Sequence, residues 1–332
     1  MQYRSIVITE RGTPEVLKVV ENELREPTSG EVRIRILATG VGLTDVAMRY
    51  GYYPYAPKIP FVPGYEIVGM IDKIGAGTSR VAVGDRIGAL TVSGGYAEYI
   101  YLSERELFHV PSQLDPAEVI ALILNYTTAY QMLYRTAKVK KGDKVLITGA
   151  SGGVGSALLQ LGNLAKLKMY GLASRKKHEI VNGLGGQPID YKSQDLVKVI
   201  RDAEPDGLDF VFDGVGGEYI GRGFKVLRKG GKLVEYGFPG FIPMLLGYLK
   251  LKMLDILPNR KSGEFYGITA QYIKDKQPFF DDISILLKLL EDGKLKPIIA
   301  EKFPILDAAK ANALLESGNI SGKIVLQSPE LL

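Results

Sequence analysis

The segment Gly149-Ala150-Ser151-Gly152-Gly153-Val154-Gly155 constrains this chain more than any other stretch. An apolar strand, Val145–Ile147, leads into it. It opens a helix predicted over Val154–Leu167, where Leu158, Leu161 and Ala165 recur at helical spacing. A glycine-rich entry leaves the first N–H groups of a helix unobstructed, and the helix dipole favours an anion there. Gly152 would let the backbone approach a pyrophosphate, and Gly155 would let the helix pack closely on the strand. Ala150 stands where the GxGxxG fingerprint has its first glycine. The turn alone therefore points to dinucleotide binding in general, with a ligand-free tight turn as its plain alternative.

The surroundings extend the pattern. Further strands are predicted over Leu167–Ala173, Leu208–Phe212 and Leu233–Tyr236, alternating with helices, which implies a parallel sheet covered on both faces. Helices are expected over Asp281–Glu291 and Asp307–Glu316, and a last strand over Lys323–Leu326. The N-terminal third has a different texture. Val32, Ile34 and Ile36 alternate with Arg33 and Arg35, and glycine or proline interrupts the chain at short intervals up to Gly95, as in a compact β domain. From Asp115 the pattern becomes helical through Leu133, with Pro116 in the first turn. At 332 residues, two domains are expected.

After the second strand of the parallel region comes Ala173-Ser174-Arg175-Lys176-Lys177, with no carboxylate before Glu179. An NAD site places an acid here for the ribose hydroxyl. A hydroxyl and several cations instead suit a 2′-phosphate, so Ser174, Arg175 and Lys177 favour NADP(H) over NAD(H). Solvated loop lysines are the alternative.

Several classes fall away. The chain has no cysteine, which removes disulfides, thiolate metal sites and a cysteine nucleophile. Its two histidines, His109 and His178, stand far apart, which argues against a histidine metal site and a Ser-His-Asp triad. The net charge of +5 is spread along the chain without a basic run, so nucleic acid is not an expected partner. Met1–Thr9 reads as a strand rather than a signal peptide. The apolar stretch Phe238–Pro258 is interrupted by prolines and charges, which argues against stable membrane insertion, and a cytoplasmic protein is expected. That stretch could roof a substrate cleft, pack in an interface, or touch a partner or membrane.

The chain resembles the zinc-independent quinone oxidoreductases, the zeta-crystallin-like branch of the medium-chain dehydrogenase/reductase superfamily. The likeness is carried by Gly149–Gly155 and by Gly40-Val41-Gly42-Leu43-Thr44-Asp45, Pro63-Gly64-Tyr65-Glu66-Ile67-Val68-Gly69, Val83-Gly84-Asp85-Arg86, Gly94-Gly95-Tyr96-Ala97-Glu98-Tyr99, Asn125–Tyr130, Leu295-Lys296-Pro297 and Gly322-Lys323-Ile324, in family order. It implies an α/β fold: a GroES-like β domain over 1–120, a Rossmann doubly wound parallel-sheet coenzyme domain over 121–265, and a C-terminal return over 266–332 completing the first domain. It also implies a homodimer through the coenzyme domain. Gly42 and Tyr65 stand where zinc alcohol dehydrogenases carry a cysteine and a histidine ligand, so no zinc is expected. Zinc-free quinone reductases often have asparagine at the place of Gly42, so their substrate details do not transfer directly.

From the same resemblance, Tyr53 is a candidate hydrogen-bond donor to substrate, and Asn125 a candidate substrate contact. Thr128 would lie near the nicotinamide. Ser151, Gly152, Gly153, Val154 and Gly155 would hold the phosphates, and Tyr191 would help bind the 2′-phosphate side. Asp213-Gly214 and Tyr236-Gly237-Phe238 end strands where dinucleotides lie, their glycines admitting the nicotinamide end. Glu66 reads as an acceptor for backbone groups and His109 as a strand residue. The expected activity is NADPH-dependent, metal-free reduction of quinones or α,β-unsaturated carbonyls, in which the coenzyme carries the hydride chemistry. Two alternatives stay open: a zinc-free aldehyde or alcohol oxidoreductase, and a catalytically idle NADPH-binding sensor or interaction protein.

Overall fold

The structure, a computed structural model, describes residues 1–237, 241–255 and 260–332. The chain divides into two units, Met1–Leu124 with Lys276–Leu332, and Asn125–Asp275.

The first unit is built on antiparallel β structure. Gln2–Ile8 pairs with Leu17–Glu23, and a larger sheet is organised about Glu31–Val41. The inward side chains of that strand, Val32, Ile34 and Ile36, are almost fully buried, as the alternation predicts. The first half of the strand pairs with Tyr99–Ser103 and its second half with Lys323–Gln327, while Glu66–Ile74 runs along its other side. The C-terminal residues thus return to this sheet. Their register sets Lys323 and Glu66 beside Gly40, where a β-carbon would lie 2.0 Å from Glu66 Oε1 and 2.3 Å from Lys323 Cε.

Among the described residues the second unit holds six strands, all pairing in parallel. Numbered by their place in the chain, they lie in the order third, second, first, fourth, fifth, sixth, the doubly wound nucleotide-binding order. The first is Lys144–Thr148, the second Lys168–Ala173, the third Gly186–Asp190, the fourth Leu208–Asp213, the fifth Leu227–Glu235 and the sixth Ser262–Phe265. Sequence order reverses between the first and fourth strands. This switch point is where such sheets bind ligands, outside the strand C-termini. Leu146, Leu172, Val211 and Leu233 from four strands join one core with Ile200 and Phe224 from the covering helices.

Some boundaries differ from the sequence expectation. The helix predicted over Val154–Leu167 spans Gly153–Leu164, because Lys166 takes a left-handed conformation (φ 57°) that ends it. The helical run beginning at Pro116 continues to Ala137 through two wider turns, Leu122–Tyr126 and Gln131–Ala137. Within the apolar stretch a helix, Phe241–Asp255, presents Leu245, Leu246, Leu249 and Met253 to solvent. Phe238 and the other residues 238–240 and 256–259 lie outside the described residues. Among the described residues no helix is long and apolar enough to cross a membrane.

Candidate active site

The glycine turn sits at the switch point of the parallel sheet. It leaves strand Lys144–Thr148 with Gly149 at φ 61° and enters helix Gly153–Leu164 through Gly152, which offers no capping side chain. The N–H groups of the first helical turn therefore have no side-chain cap, the arrangement that receives a phosphate. At Gly155 a β-carbon would stand 2.2 Å from the Gly149 carbonyl oxygen and 2.7 Å from Ala150 Cα. Only glycine lets the helix fold back this closely. A β-carbon on Gly152 would meet nothing nearer than the Gly149 oxygen at 3.3 Å, so its face of the turn is open. Ser151 is buried in the turn, while Gly153 and Val154 are partly exposed.

The neighbouring fourth strand is tied to this turn. Thr148 Oγ1 donates to Asp213 Oδ1 at 2.6 Å, and the Gly214 N–H donates to Thr148 Oγ1 at 2.9 Å. Asp213 Oδ1 also accepts from the N–H groups of Val215 and Gly216. The Asp213 carboxylate thus shapes the loop beyond its strand. The glycines at the strand ends accommodate each other: a β-carbon on Gly214 would strike the Tyr236 ring, 2.6 Å from its hydroxyl, and one on Gly237 would lie 2.4 Å from the Gly214 oxygen. Phe238, which follows, lies outside the described residues.

At the end of the second strand, Ser174 precedes a short turn, Arg175–Lys177, made of three successive cationic residues. Partial burial pushes the Lys177 ammonium below its usual pKa. Tyr191 follows the third strand, 44% exposed, with Lys192 Nζ 6.0 Å from its ring centroid. The carboxylate beside it, Asp190, is committed to its own turn, accepting from Ser193 Oγ and the Lys192 N–H. These residues, cations, a hydroxyl and an aromatic face, fit a phosphorylated ribose. Asn125 packs against the glycine turn, since a β-carbon on Gly153 would lie 2.2 Å from Asn125 Nδ2. Thr128 is buried one helical turn further along.

In the first unit the sequence GVGLTD forms the entry to helix Leu43–Tyr50, whose end is closed by Gly51 at φ 77°. Asp45 is buried and reaches back to the Gly42 N–H at 2.9 Å, and its other oxygen accepts from the Gly64 N–H at 3.0 Å. Burial, reinforced by Glu66, raises its carboxyl to about 7. Gly64 takes φ 107° and would clash with Gly95 and Tyr96 if it carried a β-carbon. This knot places Tyr65 in the interior, fully buried, with its hydroxyl 2.6 Å from that of Tyr53. The two rings meet edge to face, 6.1 Å apart.

Glu66 differs from its expected role. Its side chain is paired with Lys323 Nζ at 2.5 Å, both groups buried, rather than with backbone N–H groups. Burial raises its carboxyl, opposed by Lys323. Thus, where the family resemblance would put two zinc ligands, the chain has a glycine and a tyrosine already bonded to another tyrosine, and the adjoining carboxylate holds an ammonium. This donor set does not fit zinc. Neither histidine is near it in role: His109 is an exposed strand residue 4.0 Å from Asp85, and His178 bonds the Ala173 carbonyl. Among the described residues no group of three or more histidine or acidic side chains could hold a metal ion.

Comparison with known proteins agrees with this architecture. Residues 28–112 match the alcohol dehydrogenase GroES-like domain, and residues 184–326 match the zinc-binding dehydrogenase family. Quinone oxidoreductase of Rattus norvegicus is 31% identical over 97% of this chain and 97% of its own length. The chain belongs to the medium-chain dehydrogenase/reductase superfamily. Within that superfamily it falls with the quinone oxidoreductases of the zeta-crystallin-like branch. The synaptic vesicle membrane protein VAT-1 homolog of Danio rerio is 30% identical over 98% of this chain and 70% of its own length. Among solved structures, a mycobacterial protein in complex with NADPH superposes with a TM-score of 0.87 at 25% identity, covering 98% of this chain and 99% of the other. The CurK enoyl reductase superposes at 0.88 and 25% identity, covering 99% of this chain and 100% of its own.

Proposed function

We propose that this chain is an NADPH-dependent reductase of quinones or α,β-unsaturated carbonyls that works without a metal. The observation that carries the reading is the pair Tyr53–Tyr65: a hydrogen-bonded phenol pair occupies a place where zinc dehydrogenases hold a metal ligand. Such a site offers a hydrogen bond to an oxygen that becomes negative, but no Lewis acid for an alcoholate. Reduction of a quinone or enone needs no more, because the charge that forms is already delocalised. Bound NADPH supplies the hydride.

The protein's part is to bind and orient. The turn Gly149–Gly155 holds the pyrophosphate on helix N–H groups, and Ser174, Arg175, Lys177 and Tyr191 hold the 2′-phosphate. Asn125 and Thr128 flank the coenzyme turn. Tyr53 donates a hydrogen bond to the acceptor oxygen and so orients it. We further infer a cytoplasmic homodimer joined through the Asn125–Asp275 unit. The names of relatives, a quinone oxidoreductase and an enoyl reductase, support the acceptor class. The test is NADPH consumption against a panel of quinones, phenanthrenequinone included, and enones, with chelator present. Saturable turnover undiminished by chelator is expected. Binding of NADPH with no turnover of any acceptor would replace this reading with that of an idle coenzyme-binding protein.

A further inference from the structure

Lysines that stand apart in the sequence are gathered by the fold of the second unit. Lys138, Lys140 and Lys141 precede strand Lys144–Thr148, and Lys166 precedes strand Lys168–Ala173. The two turns are bonded to each other: the Gly142 N–H donates to the Lys166 carbonyl and the Lys168 N–H to the Asp143 carbonyl, each at 2.9 Å. The four lysines, all exposed, therefore share one patch at the N-terminal edge of the parallel sheet. None of them pairs with a carboxylate among the described residues. The neighbouring acids are engaged elsewhere. Glu204 holds Lys144 and Lys168 at 2.5 and 2.6 Å, Asp209 holds Arg228 at 2.5 Å, and Glu264 holds Lys232 at 3.1 Å. Asp143 accepts from the Lys140 N–H at 2.7 Å.

Local structure accounts for part of this charge. Lys138 and Lys166 follow helices in left-handed conformations, φ 55° and 57°, where a cation complements the helix dipole. Lys140 and Lys141 lie beyond that turn and gain nothing from it. Like charges gathered in one patch repel one another, a cost that an anionic partner removes. Lysines are compact charges without the planar fork by which arginine selects a shaped anion. Among them Leu164 stands 42% exposed, and Val139 and Leu167 are half-buried. Diffuse ammonium charge beside protruding aliphatic groups matches a lipid surface, with anionic headgroups outside and hydrocarbon beneath.

We propose that the turns 138–143 and 164–168 form a docking surface for an anionic lipid membrane. The patch and the glycine turn Gly149–Gly155 lie at opposite ends of strand Lys144–Thr148, so docking leaves coenzyme binding by this unit unaltered. Flotation of the full chain with vesicles of phosphatidylcholine, with and without phosphatidylserine, tests the proposal. Binding is expected only where phosphatidylserine is present, with release at high salt, which screens the charges. Lys138→Gln combined with Lys141→Gln should weaken binding about twenty-five-fold, at about fivefold per lysine. Lys18→Gln combined with Lys310→Gln, exposed lysines of the other unit, should leave it nearly unchanged. NADPH titration should give one affinity for all three proteins, which shows that the variants are folded. Failure of the wild type to bind, equal binding to both kinds of vesicle, or equal losses in the two double variants would overturn the proposal. Labelled single-stranded RNA is a further probe: RNA binding that needs Lys138 and Lys141, in a protein that ignores vesicles, would replace the lipid surface with nucleic acid. Vesicle binding by a protein that does not bind NADPH would sink only the proposed function.

Discussion

Replacing Gly155 by alanine should damage coenzyme binding through sterics alone. The added β-carbon would lie 2.2 Å from the Gly149 oxygen, 2.7 Å from Ala150 Cα and 2.8 Å from Ala150 C, all of them backbone atoms of the coenzyme turn. No side chain can swing away, so the turn itself must open. Overpacking of this kind costs about 1–3 kcal/mol, against which the helix preference of alanine over glycine returns up to about 1 kcal/mol. A net loss of about 1–2 kcal/mol corresponds to a factor of roughly 5–30. Because the displaced atoms are those that would face the pyrophosphate, NADPH affinity should fall by a similar factor. Gly183→Ala is the control: it ends a helix and its β-carbon would meet nothing within 4 Å. Fluorescence titration with NADPH and thermal unfolding read both effects. Equal behaviour of the two variants in both assays would refute the argument.

Other consequences concern charge. Lys323→Met leaves Glu66 buried without its cation and should cost about 3–5 kcal/mol in chemical denaturation, most of which Glu66→Gln should restore in the double variant. Glu235 is buried beside Asp213, and burial first, then Asp213, raises its carboxyl to about 8. The folded state therefore binds a proton that the unfolded state releases, so this contribution is complete at low pH and is lost as pH rises from 4.5 to about 8. Glu235→Gln should flatten the decline in unfolding temperature over that window, and an unaltered slope would contradict the assignment. Lys177→Ala should weaken NADPH binding about tenfold, the value of one charge-assisted bond, while leaving NADH binding as it was; calorimetric titration with both coenzymes decides.

What was legible in the sequence was what local chemistry specifies. The glycine turn, the strand Lys144–Thr148 before it and the alternation of Val32, Ile34 and Ile36 are read from neighbours in the chain, and the structure reproduces them. The parallel sheet followed from short apolar strands alternating with helices, whereas its doubly wound order was implied only by the family resemblance. The partner of Glu66 was hidden because the register of the first sheet brings Lys323 from the far end of the chain to face it across Gly40. Tyr65 was read from sequence only as a residue unable to ligate zinc. Its bond to Tyr53 depends on how Asp45 ties Gly42 to Gly64, which no periodicity displays. The helix Leu43–Tyr50 did leave a signal, an acid in its first turn and Gly51 at its end, inside a motif that was read for chemistry instead.

The central claim is hydride transfer from bound NADPH to an activated acceptor. Protein loaded with NADPH, mixed with a quinone or an enone in a single turnover, tests it most directly, with the nicotinamide C4 carrying either hydrogen or deuterium. The account predicts that coenzyme fluorescence disappears on mixing with at least one acceptor of these classes, more slowly for the deuterated coenzyme and unaffected by chelator. Coenzyme fluorescence that persists with every quinone and enone would contradict it.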